Sequence, residues 1–393
     1  MRILIVDDDR LSLRVLQALV VQAGHEAVCA NDGEESWQRF SEGGFSLVIC
    51  DWEMPRLSGI DLCKRIRAHP ARAYTYVIMV SSRSDSEDVA IGVEAGADDF
   101  LSKPVRRGDL LTRLRVASRI VELQHRLGEQ FRQVELANAR FHRDLAAAQK
   151  AQQGLLPTRL PVAEGLAFAW RVVPCDELAG DTLNIVRLDA RHLAFHVLDV
   201  SGHGVASALL AVQVSRYLNP SLGGPIALAG AGTPMSPLDV ALELNRVFPA
   251  DPRTHQFFTL LYGVYDTATH QVRLVCAGHP PPLVQRADGR VEAPEASGHP
   301  IGLFAAGIAR FGELTIDLEP GDRLWAFSDG VTETSDAQDR IFDTAQLAAL
   351  LPRLASADLD TALASVLDTL GHWRQGRPVA DDISLMAVER LVG

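Results

Sequence analysis

Aspartates at the ends of apolar runs are the chemically suggestive feature of this 393-residue sequence. Asp7, Asp8 and Asp9 follow the run Ile3–Val6, and Asp51 follows Leu47–Cys50. Ser81 follows Val77–Val80, and Lys103-Pro104 comes just after Phe100-Leu101. Carboxylates gathered in one place repel unless a cation sits among them, and hard oxygen ligands favour Mg²⁺. With metal and lysine neutralising charge, Asp51 can attack a phosphoryl donor as a carboxylate nucleophile. Lys103 supplies the positive point charge, and Ser81 can donate a hydrogen bond to a phosphoryl oxygen. Any one of these residues alone would pass for a strand end or a helix cap. Five elements at matched strand ends point to one phosphorylatable site.

A second set lies in the carboxy-terminal half: Ala179-Gly180-Asp181, then Asp199-Val200-Ser201-Gly202-His203-Gly204, Ser328-Asp329-Gly330 and Asp381-Asp382-Ile383-Ser384. Three of these groups border strong strand patterns, so they can converge at one end of a pair of sheets. Carboxylates and water, with no Cys and no obligatory His, suit Mg²⁺ or Mn²⁺ rather than zinc. Two such ions about 4 Å apart on a bridging carboxylate activate water for in-line attack on phosphorus. Asp-Gly and Ser-Gly are also ordinary turn residues, so it is the set that carries the signal.

Three regions must position these groups. Residues 1–118 alternate short β-rich runs with helical periods such as Leu11, Val15, Leu16, Leu19 and Val20. That alternation predicts a doubly wound parallel α/β domain, whose site lies at the carboxyl ends of the strands. Residues 119–156 lack proline and carry apolar residues seven apart, at Ile120, Leu127, Val134, Phe141, Ala148 and Leu155. A heptad stripe predicts a coiled-coil helical linker and a parallel homodimer, ended by Pro157 and Pro161. Residues 157–393 group strands with strands and helices with helices, which predicts an α+β layered domain. The stretch Gly223–Pro237, rich in Gly, Pro and Ala, reads as a mobile insertion.

Composition excludes several classes. A hydrophobic share of 47% is far too high for a disordered chain. A formal charge of −12 opposes binding to a nucleic-acid backbone. No run of about 18 apolar residues occurs, so no membrane span is expected. The start, Met1-Arg2 before Ile3–Val6 and three aspartates, is too short and acidic for a signal peptide. The five cysteines (29, 50, 63, 175 and 276) form no CxxC, as expected of thiols in a reducing cytoplasm.

The first region resembles a response-regulator receiver domain, of flavodoxin-like fold. The carrying residues are VDDD at 6–9, DWEMP at 51–55, Ser81 and KP at 103–104. The resemblance implies Asp51 as phospho-acceptor, and Asp7 and Asp8 as Mg²⁺ ligands beside Asp51 and the backbone carbonyl of Glu53. It implies Ser81 and Phe100 as the switch pair with Lys103 beside them, a Lys-Pro peptide that is cis, and a sensor histidine kinase or phosphotransfer protein as phosphoryl source.

The last region resembles the PPM-type serine/threonine phosphatases of the SpoIIE-like branch, a β-sandwich flanked by helices. AQKAQQGLLP at 148–157, DVSGHG at 199–204, FFTLLYG at 257–263, AGHPPPL at 277–283, PIGL at 300–303, FSDGVTE at 327–333 and DDIS at 381–384 carry it. The resemblance implies Asp199 as ligand bridging two Mn²⁺ or Mg²⁺ ions, with the Val200 carbonyl, Asp329 and Asp381 as further ligands. Asp382 borders the ions, with the choice between Asp381 and Asp382 as direct ligand left open, and Asp181 reaches them directly or through water. His203 reads as a surface turn residue. Where the family has GGDxxD, residues 179–184 read AGDTLN, so Asn184 replaces a carboxylate.

Together these resemblances imply a cytoplasmic response regulator that dephosphorylates phosphoserine or phosphothreonine on a partner protein under control of Asp51. By resemblance the partner is an anti-sigma-factor antagonist. The competing reading is a phosphatase-like adaptor that binds a sigma-factor-pathway protein without turnover. The four carboxylates Asp181, Asp199, Asp329 and Asp381 favour the enzyme, since keeping them without cations is electrostatically costly.

Overall fold

The computed structural model describes residues 1–393 except 70–73, 83–85, 158–159, 226–233, 251–255 and 393. The insertion expected at 223–237 lies outside the described residues over 226–233. The chain divides into two compact units, residues 1–140 and 141–393.

The first unit alternates strands β1 (Arg2–Val6), β2 (Glu26–Ala30), β3 (Leu47–Asp51), β4 (Tyr76–Ser81) and β5 (Asp99–Ser102) with helices α1 (Arg10–Gln22), α2 (Gly33–Ser41), α3 (Gly59–Ala68) and α4 (Ser86–Glu94). All strand pairs are parallel, in the order β2-β1-β3-β4-β5. β3 and β4 are buried along their whole length, as expected of inner strands covered on both faces. Ile3, Ile5, Ile49 and Ile78 pack on one face against α1 and the start of the last helix, while Leu4, Val48, Val77 and Met79 pack on the other. Order reverses between β1 and β3, and the aspartates sit at the carboxyl ends there.

Helix α5 runs from Arg107 to Gln153 without interruption. No proline occurs between Pro104 and Pro157, so nothing removes a backbone donor over this stretch. No break therefore falls near residue 119. Leu110, Leu114 and Ala117 are buried against the first unit. Beyond them the heptad residues Leu127, Val134 and Phe141 are 62%, 66% and 56% exposed.

In the second unit two antiparallel sheets are sandwiched. One has the order β13-β10-β9-β8-β7 and the other β12-β11-β14-β15-β6. The strands are β6 (Leu166–Val173), β7 (Thr182–Arg187), β8 (His192–Val200), β9 (Phe258–Asp266), β10 (Gln271–Ala277), β11 (Leu283–Gln285), β12 (Val291–Glu292), β13 (Glu313–Asp317), β14 (Arg323–Phe327) and β15 (Ile383–Arg390). Alternate residues such as Phe195, Val197, Leu261, Leu274, Leu324 and Met386 fill the space between the sheets. The outer face of one sheet is covered by α6 (Val205–Leu218) and α7 (Pro237–Val247), through Ala211, Val214, Val240 and Leu244. The other is covered by α9 (Thr344–Leu350) and α10 (Leu359–Arg374), through Leu347, Leu363, Val366 and Leu370, while α8 (Asp329–Thr332) is a single turn after β14. The sandwich brings the ends of β8, β14 and β15 to one edge, where the second set of aspartates lies.

Candidate functional sites

Asp7 follows β1 and Asp51 ends β3, two adjacent parallel strands, so their carboxylates meet at the sheet edge. One carboxylate oxygen from each of Asp7, Asp8 and Asp51 lies within 4.8 Å of the others. Lys103 Nζ stands 2.8 Å from Asp51 Oδ2 and 3.0 Å from Asp7 Oδ2. Asp51 Oδ1 accepts from the Trp52 amide at 2.8 Å. Burial raises the Asp51 pKa, against the lowering effect of Lys103. For Lys103 burial acts downward, but its bonds to Asp51 and Asp7 outweigh it and the pKa rises. Asp9 faces away from this group: it caps α1, accepting from the Leu11 and Ser12 amides.

Local geometry explains the neighbouring residue types. A Cβ at Gly59 would fall 2.1 Å from the Asp51 carbonyl oxygen, so only glycine lets α3 start so close to the nucleophile. The Lys103–Pro104 peptide is cis, and the Lys103 amide donates to the Ser81 carbonyl at 2.9 Å, which fixes β5's end beside β4's. Ser81 is buried at the end of β4. Phe100, half-buried on β5, has its ring where a Cβ on Gly92 of α4 would be, 2.6 Å from Phe100 Cε1 and 3.0 Å from Trp52 Cζ3.

In the second unit, Asp181 precedes β7 and Asp199 nearly ends β8, and the two strands pair with Thr182 opposite Leu198. On the other sheet Asp329 follows β14 and Asp381-Asp382 precede β15, paired with Phe327 opposite Leu385. Each sheet thus delivers its carboxylates to the same edge. Burial, then the charges of Asp329 and Asp381, raise the Asp199 pKa to about 7. Burial and Asp381, with Glu333 next, raise that of Asp329 to about 6. Asp181, buried and facing the charge of Asp199, is pushed well above the usual carboxylate range. Its Oδ2 is buried with no hydrogen-bond partner. Among the described residues, no ion pair joins any of these five aspartates to a Lys or Arg.

Asp382 has a different task from its neighbour. Its carboxylate accepts from the amides of Cys175 at 2.7 Å, Gly180 at 2.6 Å and Asp181 at 3.2 Å. Those bonds hold the 175–181 segment against β15 and leave Asp381 as the exposed carboxylate of the pair. A Cβ on Gly330 would lie 2.0 Å from the Asp382 carbonyl, and one on Gly180 would lie 3.0 Å from that of Val200. Gly330 is therefore required by close backbone approach at this edge, and Gly180 sits at a tight one.

The family model described as Stage II sporulation protein E (SpoIIE) matches residues 189–391, just over half of the chain, and that of the response regulator receiver domain matches residues 3–115. The chain belongs to the SpoIIE family. Its second unit is a PPM-type phosphatase domain and its first a receiver domain. The sensory transduction protein RegX3 of Mycolicibacterium smegmatis is 36% identical over 117 residues, covering 30% of this chain and 50% of that protein. The chain thus spans about half the length of the curated relatives it matches first. Among solved structures, the SiaA-PP2C domain of Pseudomonas aeruginosa is 18% identical with a TM-score of 0.55, over 64% of this chain and 98% of that one, a likeness of fold. The RsbU and RsbW domains of Rv1364c from Mycobacterium tuberculosis are 25% identical with a TM-score of 0.50, over 59% of this chain and 62% of that one.

The SpoIIE-family edge fits the divalent cations on which PPM phosphatases depend. Its donors are all oxygen, its carboxylates resist ionisation together, and Asp181 Oδ2 is a buried acceptor without a donor. Cys175 Sγ and one carboxylate oxygen each of Asp381 and Asp382 lie within 4.8 Å of one another, and burial, then the Asp382 charge, holds the Cys175 pKa up at about 12. All five cysteines are free.

Several residues around the edge carry no signal of their own in the sequence. Thr259 Oγ1 lies 3.5 Å from Asp199 Oδ2 and 2.7 Å from Nδ1 of His279. Burial lowers the His279 pKa to about 3, so a neutral imidazole steadies the hydroxyl that faces Asp199. Both belong to quoted motifs, FFTLLYG and AGHPPPL, yet a role for either needs the sheets assembled. His203 is 73% exposed, 3.8 Å from Asp176. Asn184 is buried, and its Nδ2 donates to the Leu155 carbonyl at 3.2 Å.

Proposed function

We propose that the chain is a response regulator whose output is hydrolysis of phosphoserine or phosphothreonine on a partner protein, controlled by phosphorylation of Asp51. The observation that carries the output is the uncompensated charge at the sandwich edge, where Asp181 Oδ2 is buried without a hydrogen-bond partner and, among the described residues, no Lys or Arg pairs with the aspartates. Asp199, with the Val200 carbonyl, Asp181, Asp329 and Asp381, would hold two Mn²⁺ or Mg²⁺ ions. When bound, these ions polarise the phosphoryl group and activate water to attack it. Thr259 and His279 orient Asp199, and Asp382 holds the 175–181 segment in register. The exposed edge beside Gly202-His203-Gly204 admits a protein-borne phosphate.

In the receiver, Asp51 accepts the phosphoryl group from a sensor histidine kinase or phosphotransfer protein, with Asp7, Asp8 and the Glu53 carbonyl around Mg²⁺. Lys103 stabilises the charge that develops, and Ser81 and Phe100 respond to the phosphorylated state. The RsbU likeness supports an anti-sigma-factor antagonist as substrate. The exposed heptad stripe of α5 supports a parallel homodimer, which sedimentation equilibrium would refute by finding a monomer. No described helix is long and apolar enough to cross a membrane. The decisive experiment follows Mn²⁺-dependent phosphate release from a phosphorylated anti-sigma-factor antagonist, with Asp51 phosphorylated and not. Binding of that protein with no turnover in either state would replace the enzyme by an adaptor.

A further inference from the structure

The segment that carries Asp181 is held from two sides. On the sheet side, Asp382 takes the amides of Cys175, Gly180 and Asp181. On the other side lies the end of α5. Gln152 Nε2 donates to the Ala179 carbonyl at 2.5 Å, and the Ala179 amide donates back to Gln152 Oε1 at 3.2 Å. One side chain thus satisfies both backbone groups of the residue two before Asp181, as a neighbouring strand would. One turn further, the Leu155 carbonyl accepts from Asn184 on β7, and upstream His142 Nδ1 lies 3.0 Å from Glu177 Oε1.

The rest of this helix end is loosely seated. From 141 to 153 only Leu145, Gln149 and Gln152 are half-buried, spaced four and three residues apart on one face, and the others are exposed. A cavity of about 60 Å³ remains between Gln149, Gln152 and Leu156 on one side and Ala179, Asp181 and Thr182 on the other. That is room for a few waters. Directional hydrogen bonds, more than close packing, therefore define where the last turn sits, and Gln152 makes two of them.

We propose that Gln152 is a positioning residue for the phosphatase cluster: by gripping Ala179 through both backbone groups it sets Gly180 against the Val200 carbonyl and Asp181 against Asp199, so that the seating of α5's last turn governs how well the cluster takes its cations. This rests on the phosphatase reading above and adds a means of regulating it. Gly180 is the tight point, since a Cβ there would lie 3.0 Å from the Val200 carbonyl oxygen and 3.2 Å from that of Gly202. A displacement of Ala179 beyond a few tenths of an ångström is therefore passed on to Asp181.

The test uses the full chain and Mn²⁺ as the probe. Gln152→Met keeps side-chain length and helix propensity and removes both polar atoms. Mn²⁺ binding is measured by calorimetry, with Asp199→Ala as the reference in which only the receiver site remains. Gln152→Met should need about tenfold more Mn²⁺ for half-occupancy of the phosphatase site, the usual scale for residues that orient metal ligands. Exchange of the Ala179 amide should quicken, and kcat should recover at saturating Mn²⁺ with KM for the phosphoprotein unchanged. Gln152→Glu, which keeps the acceptor for the Ala179 amide and loses the donor, should fall between. A Mn²⁺ midpoint within twofold of the parent chain overturns the proposal, whether or not melting temperature falls. If Asp199→Ala binds Mn²⁺ as the parent does, the phosphatase site itself is wrongly placed and the grip falls with it.

Discussion

The two acidic clusters of this chain solve the same electrostatic problem in opposite ways. In the receiver, Lys103 stands 2.8 and 3.0 Å from two of three carboxylates, so the chain supplies part of the neutralising charge itself. At the sandwich edge five aspartates converge with no such ion pair among the described residues, and the pKa of Asp199 is driven to about 7. The first arrangement suits a group that must be modified and released, since its resting state is tolerable without a tightly held metal. The second is stable as a set of anions only when cations complete it. The difference also separates roles: a carboxylate beside a lysine is poised as a nucleophile, whereas carboxylates beside each other are poised as ligands.

The comparison breaks outright if its two centres are exchanged in importance. Asp51→Asn should abolish labelling by a small-molecule phosphoryl donor, because an amide cannot serve as the nucleophile. Retained labelling on mass spectrometry would move the phospho-acceptor elsewhere. The same variant should leave unphosphorylated, Mn²⁺-dependent phosphatase turnover as it was. Asp199→Ala should do the reverse, keeping acyl-phosphate formation and cutting phosphatase turnover by at least about 10²-fold, the scale of losing one preorganised electrostatic element. Near-normal metal-dependent turnover would refute the bridging role.

A subtler effect distinguishes the clusters by pH. The folded pKa values of Asp199 and Asp329, about 7 and about 6, lie above those of the unfolded chain. The native state then binds more protons than the unfolded one between about pH 4 and 7, so this cluster's contribution to stability falls as pH rises through that window. Without divalent cation, Asp199→Asn should therefore raise the melting temperature most at pH 8, less at pH 5.5, and change it little near pH 4. About 2–4 °C is expected for each kcal/mol of repulsion relieved. Added Mn²⁺ should cancel the advantage at pH 8 by stabilising only the parent. A difference that does not grow with pH would mean that Asp199 sits in no repulsive field.

Much of both sites was legible because each key aspartate ends or precedes a run with a clear period. Leu47–Cys50 before Asp51 and Arg323–Phe327 before Asp329 read as strands, and parallel or antiparallel order then brings their ends together. Strands β6 and β7 were harder, since Arg171 and Asn184 interrupt the apolar pattern. The division of labour between Asp381 and Asp382 could not be read, because it depends on amides at 175, 180 and 181, some 200 residues away in sequence. Gln152 was invisible for the same reason: its partner is a backbone, which has no letter. The continuity of α5 was available in principle from the proline-free stretch between Pro104 and Pro157.

The smallest expected effect concerns Asn184, the one position where the second cluster has fewer carboxylates than its family usually shows. Restoring the charge with Asn184→Asp would enlarge the contrast between the clusters if the side chain faced the metals. Its Nδ2, however, donates to the Leu155 carbonyl, and its Oδ1 accepts from the Ile185 amide. An aspartate there keeps the second bond and turns the first into a carboxylate oxygen against a carbonyl oxygen in a buried setting. Leaving that acceptor unsatisfied should cost about 1–3 kcal/mol. The expected outcome is a lower melting temperature with no gain in Mn²⁺ affinity on calorimetry, and looser seating of α5's end. Tighter Mn²⁺ binding in Asn184→Asp at unchanged stability would show instead that residue 184 belongs to the metal edge. The missing charge would then be a real attenuation of the phosphatase, not a change of partner from cation to helix.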